Sequence, residues 1–152
     1  MPKVAILIGS KTDEEAMTAC AEYLTRFGIE HEMRVSSAHR QPEETTEFVR
    51  NAEKNGFSVI VAAAGMAAHL PGVAASHTTL PVIGVPLEGS ALHGIDALYS
   101  IVQMPAGIPV ATVAIGSAGA KNAAVLTAEI LALNNSAIKQ KLVEFRKNGA
   151  RF

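Results

Sequence analysis

The sequence predicts a three-layer α/β/α protein in which helices cover both faces of a five-stranded parallel sheet. Two observations carry this reading. Five short strand-like runs recur along the 152 residues, four of them aliphatic, and most are followed by a stretch with apolar residues at helical spacing. Most of those runs are apolar throughout rather than alternating, as expected of strands covered on both faces. Composition agrees: 49% hydrophobic, 18% charged, 12 glycines and no tryptophan suit a core built from small and aliphatic side chains.

The elements follow in order. Val4 to Ile8 (VAILI) is the first strand, and a helix runs from Glu14 to Phe27 with Ala16, Met17, Cys20, Tyr23, Leu24 and Phe27 on one face. Gly28 ends that helix. Glu30 to Val35 is a second strand, followed by a helix from Pro42 to about Asn55, with Pro at a tolerated first-turn position and Glu43 and Glu44 favoured by the helix dipole. Phe57 to Ala64 is the third strand, and a short helix spans roughly Val73 to Thr78. Pro81 to Val85 forms the fourth strand and Gly89 to Gln103 a helix; Val110 to Ile115 forms the fifth strand and Ala118 to Leu133 the helix after it. Ser136 is placed to cap a C-terminal helix ending near Lys147. Right-handed crossovers and this length favour the flavodoxin-like strand order 2-1-3-4-5. No repeat, low-complexity tract or linker interrupts the chain, so residues 1–152 read as one domain of a size that buries roughly two thirds of its unfolded surface.

Charge and cysteine content exclude several function classes. Thirteen basic residues against 14 acidic ones leave a net charge of -1, so no global field draws nucleic acid or an anionic membrane, and any anion site must be local. Cys20 is the only cysteine, which rules out an intrachain disulfide and any CxxC motif; lying on a helix, it reads as a buried structural thiol. The N-terminus enters a strand pattern directly without a signal peptide, and no apolar run approaches the roughly 18 residues of a membrane span. The chain therefore reads as cytoplasmic. The apolar surplus points to subunit contacts.

Chemistry concentrates where strands hand over to helices, the rim at which open parallel sheets bind ligands. After the second strand, Ser36, Ser37, Ala38, His39 and Arg40 place two hydroxyls, an imidazole and a guanidinium in five consecutive residues. Imidazole titrates nearest neutrality, and guanidinium is a permanent cation shaped for phosphate or carboxylate, so the pair suits acid/base chemistry on an anion. After the first strand, Gly9 admits a close backbone approach, Ser10 and Thr12 offer hydroxyls, and Asp13 either caps the helix or accepts bonds from ligand hydroxyls such as those of a ribose. The loop is neither a Walker A nor a GxGxxG motif. After the third strand, Gly65 to Gly72 is small, stiffened by Pro71 and apolar apart from His69, a loop able to lie against a flat ring and exclude water. Strands 2, 1 and 3 are neighbours in the expected order, so these three loops converge. His31, His77 and His93 have no acid or cysteine at metal-ligand spacing and read as surface or interface residues; no metal site is expected.

GSKTD (Gly9 to Asp13), SSAHR (Ser36 to Arg40), GMAAHLPG (Gly65 to Gly72), GVP (Gly84 to Pro86) and LYSIVQMPAGIPVATVAIG (Leu98 to Gly116) together closely resemble the PurE family of purine biosynthesis, in the same order and over nearly the whole chain. Arg40 and the intact AHLPG run resemble the class that rearranges N5-carboxyaminoimidazole ribonucleotide (N5-CAIR) to 4-carboxy-5-aminoimidazole ribonucleotide (CAIR). The sister class, which carboxylates aminoimidazole ribonucleotide (AIR) directly with CO2, typically carries SAHK and lacks AHLPG. The resemblance implies His39 as general acid/base, with His69 in the loop closing over the imidazole. It implies Ser10, Asp13 and Arg40 as substrate-binding residues for ribose and phosphate, with Ser37, Ala38, Gly65, Ala68 and Leu70 in the same motifs. It further implies a homo-octamer that uses neither metal nor organic cofactor, its only ligands being the nucleotides N5-CAIR, CAIR and AIR. Glu88 and His93 are less familiar at their positions. The alternatives are direct AIR carboxylation and a flavodoxin-like nucleotide-binding module without catalysis, against which the scarcity of aromatics to sandwich a flavin counts.

Overall fold

A computed structural model describes residues 1–152. The elements are β1 (Lys3–Ile8), a single 3-10 turn over Lys11–Asp13, α1 (Glu14–Phe27), β2 (Glu30–Val35), α2 (Pro42–Asn51), β3 (Phe57–Ala64), α3 (Leu70–Ser76), β4 (Val82–Pro86), α4 (Ile95–Val102), β5 (Ala111–Thr112), α5 (Ser117–Ala132) and α6 (Ser136–Lys147). The five strands are parallel and lie in the order β2-β1-β3-β4-β5, the predicted flavodoxin-like order.

Strand periodicity divides the core into two layers. Val4, Ile6 and Ile8 of β1, Val59, Val61 and Ala63 of β3, and Ile83 and Val85 of β4 face α1, α5 and α6, where Met17, Cys20, Leu24, Phe27, Ala120, Ala124, Ile138, Leu142 and Phe145 complete one cluster. Ala5 and Leu7, Ile60 and Ala62, and Val82 face the other way, onto Val49 of α2, Leu70 and Ala74 of α3, and Ala97 and Ile101 of α4. Gly84 belongs to this second face. A Cβ there would stand 2.4 Å from Ile101 Cγ2 and 2.8 Å from Val110 Cγ1, so the absent side chain is what lets α4 close on the sheet. α6 packs on its own chain through Ile138, Leu142 and Phe145.

Several boundaries differ from the sequence expectation, each for a local reason. α4 begins at Ile95 rather than Gly89, because Gly89 (φ 117°), His93 (φ 53°) and Gly94 (φ 87°) hold the chain in turns with left-handed backbone. α3 begins at Leu70 rather than Val73, since Pro71 is accommodated in its first turn. α2 stops at Asn51, residues 52–56 forming turns. β5 keeps only two paired residues, Ala111 with Ile83 and Thr112 with Gly84, of the six expected. Asn135, not Ser136, caps α6: its side chain accepts from the Ile138 amide at 3.1 Å.

Candidate active site

The histidine loop is built outward from a buried hydroxyl pair. Ser36 continues the β2 ladder by donating its amide to Ile8 O (2.8 Å), and its Oγ donates to Thr45 Oγ1 of α2 (3.0 Å). Thr45 Oγ1 donates in turn to Ser37 O (3.1 Å), and Ser37 Oγ accepts from the Arg40 amide (3.1 Å). Both Ser36 and Thr45 are buried, so the loop is tied at once to β1 and to α2. That leaves His39 and Arg40 exposed at its crest. The Arg40 guanidinium takes part in none of the salt bridges, so its charge is free for a ligand.

In the first loop, the Asp13 carboxylate accepts from the Ser10 amide (3.1 Å) and more weakly from Ser10 Oγ (3.4 Å), while Ser10 Oγ also bonds Thr12 Oγ1. Partial burial raises the Asp13 carboxyl above its ordinary 3.8, and the two Ser10 bonds only offset this in part. Asp13 is thus both a cap and a carboxylate short of donors, so capping and ligand binding are compatible rather than exclusive.

The third loop turns sharply. The His69 amide donates to Ala67 O (2.9 Å), which directs Ala68 into the core and His69 outward. His39 Nε2 and His69 Nδ1 lie 2.7 Å apart with their rings edge to face at 88°. Two imidazoles from the loops after different strands therefore form one hydrogen-bonded unit.

These loops enclose a cavity of about 850 Å³ whose walls include Ser10, Asp13, Ser37, Ala38, His39, Arg40, Gly65, His69 and Leu70, within the range of small-molecule sites. Of the expected catalytic and substrate-binding residues, Ala68 does not line it: with 1% exposure it packs among the buried residues of the second face, and Ser36 is buried beneath the loop. Gly72 is also outside, and a Cβ there would stand 3.1 Å from Met104 Sδ. Lys11 and Glu88 line the cavity although neither was singled out as a binding residue. Lys11 sits inside the GSKTD motif and was legible there, whereas Glu88 reaches the site only because β4 follows β3 in the sheet.

Residues 3–151 match the AIR carboxylase family. An N5-carboxyaminoimidazole ribonucleotide mutase of Saccharolobus solfataricus is 54% identical over 148 residues, 97% of this chain and 92% of its own length.

The chain belongs to the AIR carboxylase family.

A second relative of the same name, from Escherichia coli, is 52% identical over 145 residues, 95% of this chain and 86% of that protein. The crystal structure of Treponema denticola PurE superposes with a TM-score of 0.89 at 30% identity, covering 99% of this chain and 92% of that one. In this member of the AIR carboxylase family the histidine, arginine and aspartate loops lie on one rim. Elsewhere in this family member, a depression along α2 lined by Pro42, Glu43, Thr46, Glu47, Arg50 and Asn51 has no imidazole and no hydrophobic wall. His31, His77 and His93 lie away from the cavity; His31 Nδ1 bonds Ile29 O at 3.1 Å. Cys20 is buried, and burial pushes its thiol up to about 12, a structural role. No three His, Cys, Asp or Glu side chains are grouped to hold a metal ion, and no helix is long and apolar enough to cross a membrane.

Proposed function

We propose that this chain is an N5-CAIR mutase, an isomerase that moves the carboxyl group of N5-CAIR from the exocyclic nitrogen to C4 and so makes CAIR for purine nucleotide synthesis. The observation that carries the reading is the 2.7 Å bond between His39 Nε2 and His69 Nδ1, set in a cavity with Arg40 and Asp13. Strand order supplies the layout. Along the rim the loops run β2 (Arg40), β1 (Ser10 to Asp13), β3 (Gly65 to Leu70), spaced by about 4.8 Å per strand. A ribonucleotide laid across them puts its phosphate on Arg40, Ser10 and Thr12, its ribose hydroxyls on Asp13, and its base against Gly65 and His69. Bidentate guanidinium suits the phosphate, and a partly desolvated carboxylate gains from new donors.

The chemistry needs one proton delivered and one removed. Protonation of the carbamate nitrogen releases CO2 and leaves AIR; C4 of that electron-rich ring then forms a bond to the CO2 carbon, and loss of the C4 proton restores aromaticity. His39 gives the first proton and takes the second, so it ends as it began. Bonding to His69 suits this. A neutral imidazole pair joined through one nitrogen of each ring presents one N–H and one bare nitrogen on its outer atoms; a proton taken up on the bare nitrogen, passed across the bond and released from the outer N–H exchanges them. Acid/base assistance of this kind is worth about 10²- to 10⁴-fold, with more from positioning. Gly65 and Ala67 leave space beside the ring for CO2 while Leu70 keeps one wall apolar.

Residues 1–152 act as one catalytic domain in this reading, working in the cytoplasm as a homo-octamer. Leu92 (61% exposed), Tyr99 (65%), Ile95 and Val102 leave apolar surface open on and before α4, which an assembly of subunits would bury. Light scattering gives the mass. The function is tested by offering N5-CAIR alone and AIR with bicarbonate side by side. Conversion of N5-CAIR, with AIR used only at far higher bicarbonate, is expected; turnover of AIR at least as fast overturns the mutase assignment in favour of direct carboxylation.

A further inference from the structure

The cavity holds a second carboxylate besides Asp13. Glu88 follows β4, the next strand along the rim after β3, so it stands past the His39–His69 pair on the side away from Arg40. Its backbone is fixed. Leu87 is buried and donates its amide to Ala64 O at 2.9 Å, and both Leu87 O and Glu88 O lie 3.5 Å from where a Cβ on Gly65 would stand. The carboxylate rests over Gly116, with Oε1 at 3.1 Å from where a Cβ there would stand, so a side chain at 116 would displace it. Gly116 is itself held by donating its amide to Pro86 O (2.9 Å). Asp13 is bonded to Ser10, whereas Glu88 has no hydrogen bond or salt bridge to any side chain. A solvent-exposed charged acceptor thus stands at one end of the cavity without a partner, while Lys11, Asp13, Arg40 and both imidazoles line the rest.

We infer that Glu88 is a specificity-determining residue that accepts a hydrogen bond from the exocyclic 5-amino group of the aminoimidazole ring. The inference rests on the nucleotide lying as proposed above, with phosphate at Arg40 and base at β3. In that pose the base presents one strong donor, the 5-nitrogen, on the side towards β4. The same charge repels a carboxylate, so when the 5-nitrogen carries the carboxyl group, Glu88 takes the N–H and turns the carboxyl towards C4 and the histidine pair. An acceptor here distinguishes an amino-substituted ring from one bearing only C–H, because the unaminated ring leaves the carboxylate unpaired.

The test compares binding of 5-aminoimidazole ribonucleotide with imidazole ribonucleotide, identical but for the amine, to the wild-type protein, Glu88→Ala and Glu88→Gln, with ribose 5-phosphate as a probe of the phosphate end. Wild type should prefer the aminated nucleotide by about 10-fold or more, a charged hydrogen bond's worth. Glu88→Ala should bring the two within about twofold and Glu88→Gln should give an intermediate ratio, since a neutral acceptor is roughly half as strong, while ribose 5-phosphate binding stays unchanged. An unaltered preference in the variants, or none in the wild type, overturns the role of Glu88 and leaves the mutase reading standing. Failure of the wild type to bind either nucleotide overturns both. If Glu88→Ala does not fold, Glu88→Gln alone decides, a ratio equal to wild type being the contrary result.

Discussion

Replacing His39 and His69 by asparagine, singly and together, asks whether the two rings work as one device. Asparagine keeps a hydrogen-bonding side chain but cannot titrate. Both histidines are exposed, so each substitution should change stability by no more than about 0.5 kcal/mol, and the melting temperature should hardly move. Turnover should fall in His39→Asn by about 10²- to 10⁴-fold, or roughly 2.7 to 5.5 kcal/mol of barrier at 1.36 kcal/mol per tenfold. The 2.7 Å bond makes a further demand. If the proton moves through the pair, removing His69 strands it as effectively as removing His39, and the double variant is scarcely slower than the worse single one. Independent contributions would instead multiply. kcat for N5-CAIR conversion supplies the cycle, and calorimetric binding of AIR, expected to change little, shows that the site survives. A His39→Asn enzyme retaining more than about a tenth of wild-type turnover refutes the assignment, and multiplicative losses refute the coupling.

Arg40→Ala should raise KM by roughly 10- to 100-fold with a smaller change in kcat, the loss expected for a charged hydrogen bond to phosphate, and steady-state kinetics at constant ionic strength reads it. Asp13→Asn relieves a carboxyl that burial already disfavours, so thermal denaturation should show equal or greater stability at neutral pH while AIR binding weakens; a destabilised variant contradicts this. Gly84→Ala drives a methyl into Ile101 and Val110 and against Pro71, and should cost about 1–3 kcal/mol in urea unfolding. Cys20 releases its proton near 9.0 when unfolded but near 12 when buried, so the unfolded state binds fewer protons between those values and stability must fall as pH rises through that window. Wild type should therefore lose stability more steeply than Cys20→Ala above pH 9, and parallel curves contradict the burial of the thiol.

The sheet was legible because its core strands, VAILI and FSVIVAAA, are covered on both faces and leave an unbroken apolar signature. Edges were not. β5 reads as a six-residue strand, VATVAI, but pairs over two, since an edge strand pairs on one side only and its length depends on where the partner ends. The start of α4 was hidden because His93 adopts a left-handed backbone that its residue type does not advertise. In the site, placement after a strand was enough to locate Ser10, Asp13, His39, Arg40 and His69. Direction was not: Ala68 and His69 are neighbours, yet one faces the core and the other the cavity, and only the turn closed between His69 and Ala67 decides which. The meeting of residues 39 and 69 depends on how two crossover connections settle on the sheet, a tertiary fact with no local signature. Glu88 needed the missing side chains of Gly65 and Gly116 to be recognised as neighbours of its loop and its carboxylate.

The account stands on carboxyl migration within one bound nucleotide, and isotope transfer addresses it most directly. N5-CAIR labelled with 13C in its carboxyl group is converted in unlabelled bicarbonate, and the CAIR formed is analysed by mass spectrometry. Retention of most of the label is the expected result, since CO2 released beside C4 is recaptured before it escapes. CAIR carrying the unlabelled carbon of the solvent pool would contradict it.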